Sequence, residues 1–227
     1  MELAQRAAHR EPIWRETPFW LTVLFVSVAY GARLGTLSIR GEESRRALVA
    51  REMIETNDWI VPRTQGVPLY SRPPLQNWLI AGLALARGQI DLWCVRLPSV
   101  LAVLATVVNI YAYGRRFLQP LGAASAGLAF ASTAQVIELG RMGETDALFT
   151  FLVSGSLLSW HAAAATGRHP WRGWCGSYLL AALATLTKGP QAPVYLAGAA
   201  AVYLLCTCRW RCAFTLPHAA GIFLFTA

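Results

Sequence analysis

From Pro18 onward the chain is written in apolar blocks of membrane-crossing length, parted by one long polar stretch and by short connections in which arginine recurs. A soluble helix needs only one apolar face, so blocks that are apolar all round call for lipid as their solvent. With 55% hydrophobic and 14% charged residues and a mean hydropathy of +0.40, the 227-residue chain is too apolar for an ordinary water-soluble enzyme. The blocks predict spans near 18–32, 98–113, 121–137, 147–165, 174–186 and 190–206, with a seventh apolar stretch after Arg211. The expected fold class is an all-α integral membrane protein, a bundle of about seven spans packed through its abundant Ala and Gly.

The formal charge of +8 would suggest nucleic acid in a soluble chain, but here the arginines sit at block ends and in one loop. That placement suits lipid headgroups and phosphates, and no nucleic acid is expected. Residues 1–17, with Arg6, Arg10 and Arg15, read as a cytoplasmic tail. A cleaved signal peptide with its site near 29–32 is the competing reading, and the long polar leader and the many later spans favour an uncleaved first helix. With the N-terminus inside, the inner segments hold Arg115, Arg116, Arg168, Arg172, Arg209 and Arg211. The short outer connections hold only Arg141 and Lys188, which fits the positive-inside rule. The long polar stretch 33–97 then becomes the first extracytoplasmic loop. Within it, 75–87 is too short to cross and is expected to lie at the interface. Cys206, Cys208 and Cys212 could bind a soft metal, but read more simply as reduced thiols.

Chemistry concentrates between Gly41 and Pro74. On a helical wheel Glu42, Glu43 and Arg46 share the apolar side with Ala47, Val49, Ala50 and Met53, while Arg45, Arg51, Glu52 and Glu55 face away. Glu42 and Arg46 have the spacing of a helix ion pair, so capping of the helix N-terminus with local neutralisation is one reading, and a site for an anionic substrate is the other. Arg72, held before two prolines, is either a rigid phosphate ligand or a headgroup-seeking side chain. Glu138, Arg141, Glu144 and Asp146 crowd the next outer connection, where Asp146 also reads as a helix N-cap. Lys188 is the one lysine among twenty basic residues, and reads alternatively as a helix C-terminal cation.

These residues also carry a family resemblance. Glu42-Glu-Ser-Arg-Arg-Ala47, Ala50-Arg-Glu-Met53, Asp58-Trp59, Pro62, Gly66, Arg72-Pro-Pro74, Val95-Arg-Leu-Pro98, Thr145-Asp-Ala147 and Thr187-Lys-Gly-Pro190 together resemble the dolichyl-phosphate-mannose-protein mannosyltransferases. The chain is similar, more narrowly, to the bacterial branch containing the lipid A aminoarabinose transferases. The resemblance implies a GT-C membrane fold in the bacterial inner membrane and a polyprenyl-phosphate-linked sugar as donor. It also implies a site on the extracytoplasmic face, where sugar passes to a lipid, protein or glycan acceptor.

Carried over by position, the resemblance makes Glu42 the proposed base, beside Glu43, and puts Asp146 among the catalytic acids. It puts Arg45, Arg72 and Lys188, with Arg46 beside them, near the lipid phosphate. Glu42 stands where an aspartate is usual and Arg46 where an aromatic is usual. No divalent metal requirement follows from the sequence. Family members are roughly twice as long, so the chain is expected to represent an N-terminal half, with a missing half or partner subunit to complete it. A non-catalytic relative that binds lipid phosphate or supports a partner is the alternative function. A small-solute transporter ranks behind it, because the charges gather at one boundary rather than at mid-membrane.

Overall fold

The structure is a computed structural model and describes residues 12–36, 38–167 and 170–226. Arg6, Arg10 and Arg168, and most of the expected cytoplasmic tail, lie outside the described residues. The chain divides into two compact units, one ending at Leu148 and the other starting at Phe149.

The first unit begins with a 3-10 turn, Ile13–Arg15, and helix α1, Thr17–Gly31, with Pro18 in its first turn, where a missing N–H costs nothing. Phe19, Thr22, Val26 and Tyr30 form the buried stripe of α1, while Trp20, Leu21, Leu24, Phe25 and Val28 are each more than half exposed. A helix that turns five large apolar side chains away from the protein is built for a hydrocarbon surround. Helix α2, Glu43–Thr56, ends on Asn57 in the left-handed region, and a two-stranded hairpin follows, with β1, Arg63–Thr64, paired antiparallel to β2, Val67–Pro68. Its turn residues Gln65 and Gly66 both have positive φ, the backbone a two-residue hairpin with right-handed twist requires.

Helix α3, Leu75–Arg87, has the extent expected from the sequence and packs on α2 through Ile80 and Ala81 against Ala50. Helix α4, Leu92–Gly114, is one of two helices long and apolar enough to cross a membrane among the described residues. It starts six residues before the proline expected to open it. The carboxylate of Asp91 caps its N-terminus by accepting the Cys94 N–H at 3.0 Å, and Pro98 is carried inside the helix.

The stretch expected as a third span is interrupted. Helix α5, Pro120–Ala131, is separated from α6, Ala134–Leu139, by Ser132 and Thr133. The hydroxyls of those two residues donate to the carbonyls of Ala129 and Phe130, and Thr133 is extended, so local side-chain bonding ends the helix there. Small residues let α5 approach closely: Gly127 lies against Val107 and Thr22, and the Tyr30 hydroxyl donates to the Ala131 carbonyl at 2.6 Å.

The second long span, α7, Thr145–Thr166, runs out of the first unit into the second. There it is followed by α8, Pro170–Lys188, α9, Gln191–Thr207, a 3-10 turn at Trp210–Phe214 and α10, Leu216–Thr226. Ser177 donates to the Ser156 carbonyl at 2.9 Å, Trp160 meets Trp174 edge-on, and Gly221 admits the Tyr178 ring. Cys206 and Cys208 are exposed and Cys212 is half-buried, and among the described residues no three His, Cys, Asp or Glu side chains are grouped to hold a metal ion.

Candidate functional site

The site is assembled at the N-terminus of α2, the segment leading into α3, and the connection from α6 to α7. Its foundation is a buried ion pair. Arg96, on α4, and Glu43, on α2, are each 1% exposed, and they meet with Nε to Oε1 at 2.7 Å and Nη2 to Oε2 at 2.8 Å. Arg96 also donates to the carbonyls of Leu34 at 2.6 Å and Ser38 at 2.9 Å. Glu43 accepts in addition from the N–H groups of Gly143 at 2.9 Å and Arg40 at 3.0 Å. Burial pushes the Glu43 carboxyl up, but the Arg96 guanidinium and those two N–H donors outweigh it and hold it below the usual carboxylate range.

Leu34, Ser38, Arg40 and Gly143 are thereby tied to one pair of side chains. Gly143 has to be glycine, because a Cβ there would run into the Val95 side chain and lie 3.0 Å from the Val95 carbonyl.

Above this base lies a cluster of mixed charge. Glu42 holds the N-cap position of α2, forms an ion pair with Arg45, and donates its N–H to Glu144 Oε1 at 3.0 Å. Arg46 is 2% exposed, and its Nε has no hydrogen-bond partner among the described residues. Burial pushes the Arg46 guanidinium down; Glu144 opposes that shift, Arg72 and Arg45 deepen it, and Asp146 opposes it. Glu144 is half-buried, and burial raises its carboxyl above the usual range, with Asp146 and Glu43 adding to the rise and Arg46 and Arg72 working against it. Arg45, Arg72, Glu144 and Asp146 thus all lie within electrostatic reach of Arg46.

The placements refine the sequence reading. Glu43 and Arg46 point inward as expected, but Glu42 keeps 43% of its side chain exposed. Glu42 pairs with Arg45 one turn on, whereas Arg46, expected as its partner, is buried at 2% exposure. Asp146 is the second residue of α7, so it stands inside the first turn and not at the cap. Lys188 ends α8 within the second unit, where its Nζ lies 5.4 Å from the Phe149 ring centre and Gly189 follows with φ +83°. Two residues were underrated in the sequence. Arg96 interrupts an apolar block, and an arginine so placed signals a buried partner. Glu144 carried no such mark, since nothing local separates it from Glu138.

Comparison with known proteins gives the family and the fold. The family model described as dolichyl-phosphate-mannose-protein mannosyltransferase matches residues 71–227, more than half of the chain. The undecaprenyl phosphate-alpha-4-amino-4-deoxy-L-arabinose arabinosyl transferase of Pseudomonas aeruginosa (strain LESB58) is 31% identical over 173 residues, covering 75% of this chain and 31% of that protein. Its counterpart in Edwardsiella ictaluri (strain 93-146) is 28% identical over 204 residues, covering 86% of this chain and 36% of that protein. The chain therefore spans about a third of the length of these curated relatives.

Among solved structures, ArnT from Cupriavidus metallidurans bound to undecaprenyl phosphate superposes with TM-score 0.80 at 22% identity, covering 93% of this chain and 40% of that one. Its apo form gives 0.79 at 23% identity, covering 91% and 39%. That likeness is one of fold, and it is the all-α, multi-span membrane fold expected from the apolar blocks. The chain belongs to the dolichyl-phosphate-mannose-protein mannosyltransferase family.

Proposed function

We propose that this chain carries the donor-phosphate site of a membrane glycosyltransferase that moves a sugar from a polyprenyl-phosphate carrier to a lipid, protein or glycan acceptor. The observation that carries this reading is Arg46: a guanidinium 2% exposed, with an unpartnered Nε and two further arginines in its field. A buried guanidinium with an unpartnered Nε has donor capacity for an anion with several acceptor oxygens, and a phosphate offers them. Arg46, Arg72 and Arg45 would hold the phosphate. As the bond from the anomeric carbon to the phosphate oxygen breaks, negative charge builds on that oxygen, where a fixed guanidinium cluster stabilises it most.

Glu42 would take the acceptor's proton as the acceptor oxygen attacks the anomeric carbon, and Asp146 would face the same space. Glu43 would serve by holding Arg40, Gly143 and Arg96 in place. The donor site would open on the extracytoplasmic face of the inner membrane, with the N-terminus in the cytoplasm.

The test is sugar transfer from a polyprenyl-phosphate donor in membranes bearing the full-length protein. Glu42→Gln should reduce turnover by about 100-fold or more with little change in donor affinity. Arg46→Gln and Arg72→Gln should weaken both. Unchanged turnover in Glu42→Gln removes it as the base. A second reading, lipid-phosphate binding without transfer, is favoured by the ion pair that engages Glu42 with Arg45. It predicts donor binding that depends on Arg46 while no product forms.

A further inference from the structure

We propose that Gln76 and Asn77 form a neutral hydrogen-bonding subsite for the hydroxyl groups of the donor sugar, next to the arginines that take its phosphate. This rests on the reading of Arg46 and Arg72 as phosphate ligands and extends it to the group that is transferred.

Both side chains are 0% exposed, and all four of their polar atoms lack a hydrogen-bond partner among the described residues: Oε1 and Nε2 of Gln76, Oδ1 and Nδ2 of Asn77. Buried polar groups elsewhere in the fold are met. Thr22, Ser99, Thr106 and Thr187 each donate to a carbonyl. Trp78, in the same helical turn as the two amides, donates its Nε1–H to the Trp59 carbonyl at 2.6 Å. The exception has a local cause. Asn77 is the third residue of α3, the position from which a side-chain acceptor bonds back to the N-cap N–H in a capping box. Here the N-cap is Pro74, preceded by Pro73, and neither has an N–H to give.

Placement links the pair to the phosphate clamp. Gln76 and Asn77 head the buried face of α3, and Ile80, Ala81 and Ala84 continue it. Ile80 and Ala81, one turn on, pack against Ala50 of α2, and Arg46 stands one turn ahead of Ala50 on the buried face of that helix. Each helix thus carries unpartnered buried polar atoms one turn, about 5.4 Å along its axis, ahead of the shared apolar contact. Arg72 precedes Gln76 by four residues across the two prolines and lies within electrostatic reach of Arg46, which brings the start of α3 to the same end of α2.

The chemistry of the pair selects the ligand. A primary amide offers two N–H donors and a carbonyl acceptor and carries no charge. Two adjacent amides match hydroxyls, which both give and take a hydrogen bond, and do nothing to neutralise an anion. In a polyprenyl-phosphate sugar the phosphate is bonded to the anomeric carbon, so a phosphate held by Arg46 and Arg72 delivers the ring hydroxyls within one sugar ring of it. Amides without partners bind such groups without first giving up a bond, and they discriminate against a ring that lacks the hydroxyl they pair with.

The experiment measures binding to the full-length protein in detergent, wild type against Gln76→Met and Asn77→Leu, which keep the shape of each side chain and remove its polar atoms. The probes are undecaprenyl phosphate and the same lipid carrying 4-amino-4-deoxy-L-arabinose or mannose. The wild type should bind at least one sugar-bearing lipid about tenfold tighter than undecaprenyl phosphate, and each variant should lose about 10- to 100-fold in affinity for that lipid. Affinity of the variants for undecaprenyl phosphate itself should stay within about twofold of wild type. A purely structural role for the amides, met by water or by another part of the full-length protein, would weaken both kinds of lipid alike, and that result overturns the subsite. So does a wild type that binds neither sugar-bearing lipid more tightly than undecaprenyl phosphate.

Should the variants not fold, singly deoxygenated forms of the preferred sugar, tested on the wild type, decide the matter. At least one should bind about tenfold more weakly, and equal binding of all of them refutes. Failure of the wild type to bind undecaprenyl phosphate removes the phosphate clamp, and this inference with it, a result distinct from any loss confined to the sugar-bearing lipid.

Discussion

Breaking the Glu43–Arg96 pair is the sharpest perturbation available, because both partners are 1% exposed and their bonds also reach Leu34, Ser38, Arg40 and Gly143. Glu43→Leu leaves a guanidinium buried without its counter-charge and strands the N–H groups of Gly143 and Arg40. Losing one member of a buried pair costs about 3–5 kcal/mol, on the order of 10 °C in melting temperature for a chain this size. Arg96→Leu should cost more, because it strands a buried carboxylate and also leaves the Leu34 and Ser38 carbonyls without this donor, at about 1–3 kcal/mol for each group truly orphaned. The double variant buries no lone charge, so its loss should fall short of the sum by about 3 kcal/mol. Thermal melting of the four proteins in one detergent closes the cycle. Additivity to within about 0.5 kcal/mol would show that the pair does not hold the site, and the account of Glu43 as a tie between segments would be wrong.

The same carboxylate predicts a pH dependence. The Glu43 pKa is depressed in the folded chain, so its stabilisation is complete above the unfolded carboxylate value and is lost as pH falls through the folded one; melting in acid should show the wild type, but not Glu43→Leu, losing stability below about pH 4. Gly143→Ala should cost about 1–3 kcal/mol by forcing a methyl against Val95, and a normal melting curve for that variant would contradict the close approach described here. Asp91→Ala removes the cap of α4 and should cost about 1 kcal/mol at neutral pH. With the Asp91 carboxyl held down to about 2 by the Cys94 N–H and Arg87, despite partial burial, that difference should persist until the medium falls well below pH 4.

Lipid was legible in the sequence as the solvent, because runs that are apolar on all sides leave no face for water. The extent of α3 was legible too, since its apolar run is bounded by Pro73-Pro74 on one side and Gly88 on the other. The break at Ser132–Thr133 and the early start of α4 at Leu92 were not. Hydropathy averages over the hydroxyl-to-carbonyl bonds and the single capping carboxylate that decide them.

The family and the inward set of Glu43 and Arg46 followed from order and spacing along one chain, which is information a sequence holds. Which acid pairs with which base did not follow. Glu42 takes Arg45, Glu43 takes Arg96 fifty-three positions away, and Glu144 accepts the Glu42 N–H across 102 positions. Those choices depend on where separate segments meet at the N-terminus of α2, and in a buried setting a charge settles on whichever opposite charge the fold brings within reach, not on the one nearest in sequence.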